Sequence, residues 1–504
     1  MKCPLRRGFG SLVTWSAFAV VVLGCSETRR AEDSTLPLRA VVLVSVDTLR
    51  PDHLGVYGHE RFTSPVLDAF AAEGVVFDDV SATAAWTLPS HASMLTGLFP
   101  VGHGVMGAGT ALSDEVGTLA GWFAEAGWDT AAAVNVIWLK KDRYGLTRDF
   151  EKYLSIDDPD YRRRAPSTWI TDQAMAWLED QGDRPLFVFV HYYDVHADYA
   201  SLPEYERLLV GEYSGVADGT AWQIERASFV DEHVALCLEA FDPSICQFGS
   251  SEKPRRIDAE MERVEFEEED IVHLEQLYDA GIRQLDTELG RLLAYMTENG
   301  RLADSVVVVT SDHGEEFMEH GRLAHFLTTY QESLRVPLLM RGAGIPAGRR
   351  VKTPVSLVDL APTLLGLAGV EPPSGLDGKD FSSLWKGGSP DFFTERYLYG
   401  EASGGLQHEE HMPGVYPTFR SIRQGRFKLV ESTQGTETEY ELYDVQDDPG
   451  ETNDLARLEE DRAAALAREL GKRPARPGES IKAGKEVELD AAEIDRLRAL
   501  GYVP

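Results

Sequence analysis

The segment Ala40-Val41-Val42-Leu43-Val44-Ser45-Val46 is an almost unbroken apolar run rich in valine. Such a run suits a strand buried on both faces of a parallel sheet. Thr130–Val134, Leu186–His191, Ser305–Thr310 and Val336–Met340 repeat it. Between these runs the apolar period changes. Leu274, Tyr278, Ile282, Leu285, Leu289 and Leu292 recur three or four residues apart, which predicts a helix with one buried stripe. Strands alternating with helices predict an α/β fold with a mostly parallel sheet flanked by helices. From about residue 393 the pattern shifts. Phe419–Val430 and Glu439–Val445 read as antiparallel strands followed by helices, giving a smaller C-terminal α+β subdomain over 393–504. Residues 201–268 hold acidic clusters, two cysteines and little periodicity. They read as an insertion in the larger unit 39–392, of the kind that shapes access to a site.

The polar chemistry falls just after the apolar runs. Asp47 follows the first, His191, Asp194 and His196 end another, and Asp312 and His313 end a third. Open parallel sheets bind ligands outside the carboxyl ends of their strands. Three separate strands therefore deliver metal-ligating residue types to one edge.

Charge narrows the partners. The 504 residues carry 49 basic and 83 acidic side chains, a net charge of −34. That argues against nucleic acid, which needs a phosphate-neutralising surface. A small anionic substrate stays open, because a metal ion can invert the field within one cleft.

At the N-terminus, Lys2, Arg6 and Arg7 precede the apolar stretch Leu12–Gly24. This reads as a signal peptide over 1–24. Val22-Leu23-Gly24-Cys25 resembles a bacterial lipobox, with Cys25 the lipid-bearing residue, 25–38 a tether and the periplasmic face of the outer membrane the expected location. In an exported protein, Cys237 and Cys246 are expected to form a local disulfide.

Four motifs carry the chemistry: Val46-Asp47-Thr48 with Leu54-Gly55-Val56-Tyr57-Gly58; Trp86-Thr87-Leu88-Pro89-Ser90-His91 with Leu95-Thr96-Gly97; His191–Tyr199; and Ser311-Asp312-His313-Gly314 with His320-Gly321. Together they resemble the sulfatase family of the alkaline phosphatase superfamily. Ser356–Thr363, Arg426–Leu429 and Leu442–Asn453 resemble its later segments, so the resemblance runs from about residue 39 to 460. It implies that Asp47, Thr87, Asp312 and His313 hold a divalent metal ion. It also implies that Thr87, His91, His196 and His320 form the catalytic set, with His325 a further candidate. The family's usual nucleophile segment is Cys (or Ser)-x-Pro-x-Arg, whose Cys or Ser is oxidised to formylglycine. Here Thr87 and His91 occupy the nucleophile and Arg positions, and Thr48 replaces a second Asp ligand. Oxidising a threonine gives a ketone, so no formylglycine is expected.

These departures bear on metal and substrate. An imidazole ligand and a lost carboxylate favour Zn or Mn over Ca. Formylglycine hydrate expels sulfate by collapsing to an aldehyde, which a Thr87 ester cannot do. A plain hydroxyl nucleophile thus favours phosphate monoesters or diesters, on a small molecule or linked to a glycan or lipid. The alternatives are a formylglycine-independent sulfuric ester hydrolase, a phospho-head-group transferase, and a non-catalytic glycan-binding lipoprotein. A two-metal site adding Asp194, His196 and His325 is a further variant.

Overall fold

The computed structural model describes residues 37–107, 109–141, 143–155, 166–228, 264–402 and 417–473, with the short pairs 247–248, 255–256 and 485–486. The expected signal peptide, Cys25, the tether up to residue 36, Cys237 and Cys246 lie outside the described residues. Among the described residues, no helix is long and apolar enough to cross a membrane.

Eight strands form the central sheet: β1 (Ala40–Val46), β2 (Val75–Phe77), β3 (Asp129–Val134), β4 (Lys152–Ser155), β5 (Leu186–Tyr192), β6 (Ser305–Ser311), β7 (Leu338–Gly342) and β8 (Arg349–Val351). Their order is β8-β2-β7-β6-β1-β5-β3-β4. β1 lies at the centre, parallel to both β6 and β5, with Ser45 level with Thr310 and His191. β7 alone opposes its neighbours β6 and β2. The apolar run at Val336–Met340 was read as a parallel strand. An apolar run reports burial on both faces, not strand direction, so this difference was not legible.

Alternation along the strands builds two cores. Val41, Leu43, Phe187, Phe189, Val306 and Val308 face one side, packed with Leu88, Ala92, Met94 and Leu95 of the helix Thr87–Thr96. Val42, Val44, Val188, Val190, Val307 and Val309 face the other, packed with the long helix Glu268–Glu298. The stripe from Leu274 to Leu292 is buried as the period predicts. Each such side chain contributes about 2 kcal/mol by leaving water. A reciprocal capping box between Glu267 and Asp270 starts the long helix, with three acidic residues in its first turn where the dipole favours them. The region 201–268 is less featureless than its sequence suggests, since Pro203–Leu209 and Ala221–Ser228 are helical.

The C-terminal part is an antiparallel meander of β9 (Tyr397–Ala402), β10 (Thr418–Gln424), β11 (Phe427–Gln434) and β12 (Glu437–Asp444). The helix Glu460–Leu470 covers it, setting Ala463, Leu466 and Leu470 on Ile422, Leu429 and Leu442. Phe419–Val430 is thus a hairpin rather than one strand. Gly425, at φ 57°, makes the turn in left-handed backbone that glycine takes without a Cβ penalty. This sheet joins the larger part through backbone bonds, Ala85 N–H to the Glu401 carbonyl and Glu401 N–H to the Thr83 carbonyl, and through the Arg423–Asp79 ion pair. Among the described residues, the two sheets fall within one compact unit.

Candidate active site

The carboxyl ends of β1, β5 and β6 converge. Asp47 follows β1 and donates its N–H to the Tyr192 carbonyl at the end of β5 (2.9 Å). Thr48 holds a left-handed backbone, φ 59°, a conformation that costs a β-branched residue free energy and clusters at functional sites. Three bonds pin the loop. Leu49 N–H donates to Ser311 Oγ (3.0 Å), Arg50 N–H donates to the Tyr278 hydroxyl (2.8 Å), and that hydroxyl donates to the Thr48 carbonyl (2.7 Å). After β6, Gly314 N–H donates to the Ser333 carbonyl (2.8 Å). A Cβ at Gly314 would lie 1.9 Å from the Glu332 carbonyl oxygen, so only glycine fits this close approach.

Asp47, Asp312, His313 and Thr87 are all fully buried. His313 donates Nδ1–H to the Gly314 carbonyl (2.9 Å), which leaves the lone pair on Nε2. That Nε2 lies 3.5 Å from Asp47 Oδ1, 3.4 Å from Asp312 Oδ2 and 3.4 Å from Thr87 Oγ1. Ligand atoms about 2.1 Å from a tetrahedral ion are separated by roughly 3.4 Å. Among the described residues, neither oxygen of Asp312 accepts a hydrogen bond. Buried carboxylate oxygens without donors carry a large desolvation cost unless a cation meets them. Burial and the neighbouring Asp47 charge push the Asp312 carboxyl up to about 7, and burial with the nearby His325 pushes His313 down to about 4. Two carboxylates, a neutral imidazole and a hydroxyl therefore fit a divalent ion.

Thr87 is the first residue of the helix Thr87–Thr96, whose ten residues are all buried. Pro89 has no N–H to offer, and the remaining free N–H groups of the first turn face the cluster's end of the helix, where an anion is favoured. His91 sits one turn on. Its Nδ1–H donates to the Thr87 carbonyl (2.8 Å), so Nε2 accepts from the Ser45 hydroxyl (2.9 Å). Nδ1 is also 3.3 Å from Asp312 Oδ2. Burial, only partly opposed by Asp312, pushes His91 down to about 4. It is a neutral residue that positions Thr87 and Asp312, not a stand-in for a guanidinium charge. The exchange of the family's Arg for His91 and of its second Asp for Thr48 removes one charge of each sign, so the cluster's balance is kept.

The outer histidines have different surroundings. His196 stacks on Tyr193 (4.3 Å between rings), with its Nε2 3.3 Å from the Tyr193 hydroxyl, and it lies 4.8 Å from His325. Asp194 Oδ1 accepts from Ser167 (2.6 Å) and Gln284 (2.8 Å), while its Oδ2 takes no hydrogen bond among the described residues. His325 joins the centre: its ring is 4.5 Å from His313, and its Nδ1 lies 2.9 Å from Glu315 Oε1. Ala324 and Phe326, on either side of His325, both hold positive φ (68° and 75°). His320 does not join. It bonds Glu332 through Nδ1 and the Glu451 carbonyl through Nε2 (3.1 Å), and stacks on Tyr330 at 3.7 Å. Burial opposes its charge, but Glu332 outweighs burial and raises it to about 9. His320 thus ties the 319–332 segment to the C-terminal part.

Sequence reading passed over Ser45 and Glu315. Ser45 is the one polar interruption of the β1 run, and that interruption was its signal. Glu315, raised to about 8 by burial, sat beside the quoted Asp-His-Gly motif. Asn135 Oδ1 accepts from His191 Nδ1 (3.2 Å). His191 Nε2 lies 3.4 Å from Asp47 Oδ2.

The sulfatase family model matches residues 39–370, and the C-terminal model of N-sulphoglucosamine sulphohydrolase matches residues 319–476. Arylsulfatase K of Canis lupus familiaris is 32% identical over 191 residues, 38% of this chain and 35% of that protein. The match thus spans about a third of the length of that relative. The ulvan-active sulfatase of Formosa agariphila is 26% identical over 450 residues, 86% of this chain and 80% of that protein. The crystal structure of a phosphonate monoester hydrolase of Agrobacterium radiobacter superposes with a TM-score of 0.66 at 22% identity, covering 86% of this chain and 95% of its own. At that identity the superposition speaks for the fold alone. The family model covers well over half of the sequence, and the chain belongs to the sulfatase family of the alkaline phosphatase superfamily.

Proposed function

We propose that this chain is a metal-dependent hydrolase of anionic esters in which Thr87 is the nucleophile, and that phosphate monoesters or diesters are its preferred substrates. The observation that carries this reading is Thr87 Oγ1 at a buried helix N-terminus, 3.4 Å from Nε2 of His313, which itself clusters with Asp47 and Asp312. Asp47, Asp312, His313 and Thr87 would hold the ion. A divalent ion bound there lowers the pKa of the Thr87 hydroxyl and offsets the charge of the ester oxygens.

In the first step Thr87 Oγ1 loses its proton and attacks phosphorus. The bond from phosphorus to the ester oxygen breaks, and the alcohol leaves after taking a proton. In the second step water attacks the Thr87 phosphoester, Thr87 Oγ1 leaves and regains its proton, and phosphate or a phosphomonoester is released. His91 fixes the Thr87 carbonyl throughout. His325, whose ring is 4.5 Å from His313, and His196, 4.8 Å from His325, are the side chains we assign to the ester oxygens or the leaving group.

The names of the relatives favour a second reading, a sulfate ester as substrate. Thr87 weighs against it, because its sulfate ester has no aldehyde-forming exit. Acid quenching during turnover of an aryl phosphate, followed by mass spectrometry of the peptide carrying Thr87, tests the mechanism. A phosphoryl adduct on Thr87 is expected. An adduct elsewhere, or full turnover by Thr87→Ala, refutes it.

A further inference from the structure

Two groups of metal-binding side chains share Asp312: Asp47, Asp312 and His313 form one, and His91, His191 and Asp312 the other, with all members buried. Asp47 spans both, with Oδ1 3.5 Å from His313 Nε2 and Oδ2 3.4 Å from His191 Nε2. His191 sits one residue before the end of β5, level with Ser45 of β1. Its Nδ1–H donates to Asn135 Oδ1 (3.2 Å). The lone pair therefore lies on Nε2, which is fully buried, faces a carboxylate oxygen, and takes no hydrogen bond among the described residues. A bare nitrogen lone pair beside a carboxylate is repulsive unless a cation stands between them. The 3.4 Å separation is again that of two ligands on one ion of first-row size.

We propose that the site is dinuclear: a second divalent transition-metal ion is held by His191 Nε2, Asp47 Oδ2 and Asp312, and the two carboxylates bridge it to the first. This rests on the reading that Asp47, Asp312 and His313 hold the first ion. His91 lines the same group, but both its nitrogens are engaged, by the Thr87 carbonyl and the Ser45 hydroxyl. It therefore shapes the second position without being assigned as a ligand. Carboxylate-bridged ions about 3.5–4 Å apart clamp both oxygens of an in-line displacement. The Asn135–His191 contact is then the outer bond that fixes the ligand's tautomer.

The test is metal content and spectroscopy, not activity. The full chain, saturated with Mn and freed of excess, is analysed for metal per chain and by electron paramagnetic resonance, in native form and as His191→Ala and His191→Gln. Two ions per chain with an exchange-coupled signal are expected in the native protein. One ion with an isolated-ion signal is expected in both variants. One ion in the native protein would overturn the dinuclear proposal and leave the mononuclear function intact, with His191 an N–H donor to Asp47. No bound metal at all would overturn both. Should the variants fail to fold, the native stoichiometry and signal decide alone.

Discussion

Replacing Glu451 with alanine should destabilise this protein far more than removing an exposed ion pair. Glu451 is 1% exposed and lies in the C-terminal segment Asp448–Asn453. Its Oε1 is 2.8 Å from Lys428 Nζ, and its Oε2 accepts from Gln331 N–H (2.6 Å). Burial pushes the Glu451 carboxyl up and the Lys428 ammonium down, each despite the partner's charge. Each folded pKa is thus shifted towards the neutral form, so the pair taken as a unit does not stabilise the fold at neutral pH. Breaking it is different. Glu451→Ala strands a buried ammonium, a loss of about 3–5 kcal/mol, and removes the acceptor of a buried N–H, about 1 kcal/mol more. Asp172→Ala, which removes one of two carboxylates paired with the part-exposed Arg291, should cost under about 1 kcal/mol. Urea unfolding of the native protein, both single variants and the double variant Lys428→Met with Glu451→Leu measures this. The double variant should recover most of the loss, because neither charge is then buried. Equal losses for Glu451→Ala and Asp172→Ala would refute the reasoning.

Gly314→Ala forces a Cβ to within 1.9 Å of the Glu332 carbonyl. The fold should lose about 3 kcal/mol, and turnover should fall because the displaced backbone carries His313; chemical denaturation and a steady-state assay measure both. His320→Gln tests a pH window. The folded pKa is raised from 6.5 to about 9, so the charged histidine's contribution is fully present below pH 6.5 and is lost as pH rises through about 9. The stability gap between native protein and variant, followed by thermal unfolding, should close across that window.

The strands that build the site were legible, because β1, β5 and β6 are buried on both faces and read as unbroken apolar runs. Asp47, Thr87, Asp312 and His313 were legible because each stands at a strand end or helix start within an ordered motif. What escaped depends on tertiary partners. His320 and His325 are five residues apart with similar local context. Only the fold shows that one is ion-paired beneath the C-terminal sheet while the other rests against His313. His191 falls within its strand, where a sequence shows period and burial but not what its Nε2 faces. The reversed direction of β7 and the turn at Gly425 were hidden for the same reason: an apolar run carries no direction, and one glycine between two apolar stretches does not announce a hairpin.

The central claim is a hydroxyl nucleophile acting with a metal ion on a phosphate ester. Turnover by the protein loaded in turn with Zn, Mn and Ca, on matched aryl phosphate monoester, aryl phosphodiester and aryl sulfate, tests it most directly, with Thr87→Ala alongside. The account predicts a Zn- or Mn-dependent preference for a phosphate ester and a loss of about a thousandfold or more in Thr87→Ala. A preference for the sulfate, or undiminished turnover without the Thr87 hydroxyl, would contradict it.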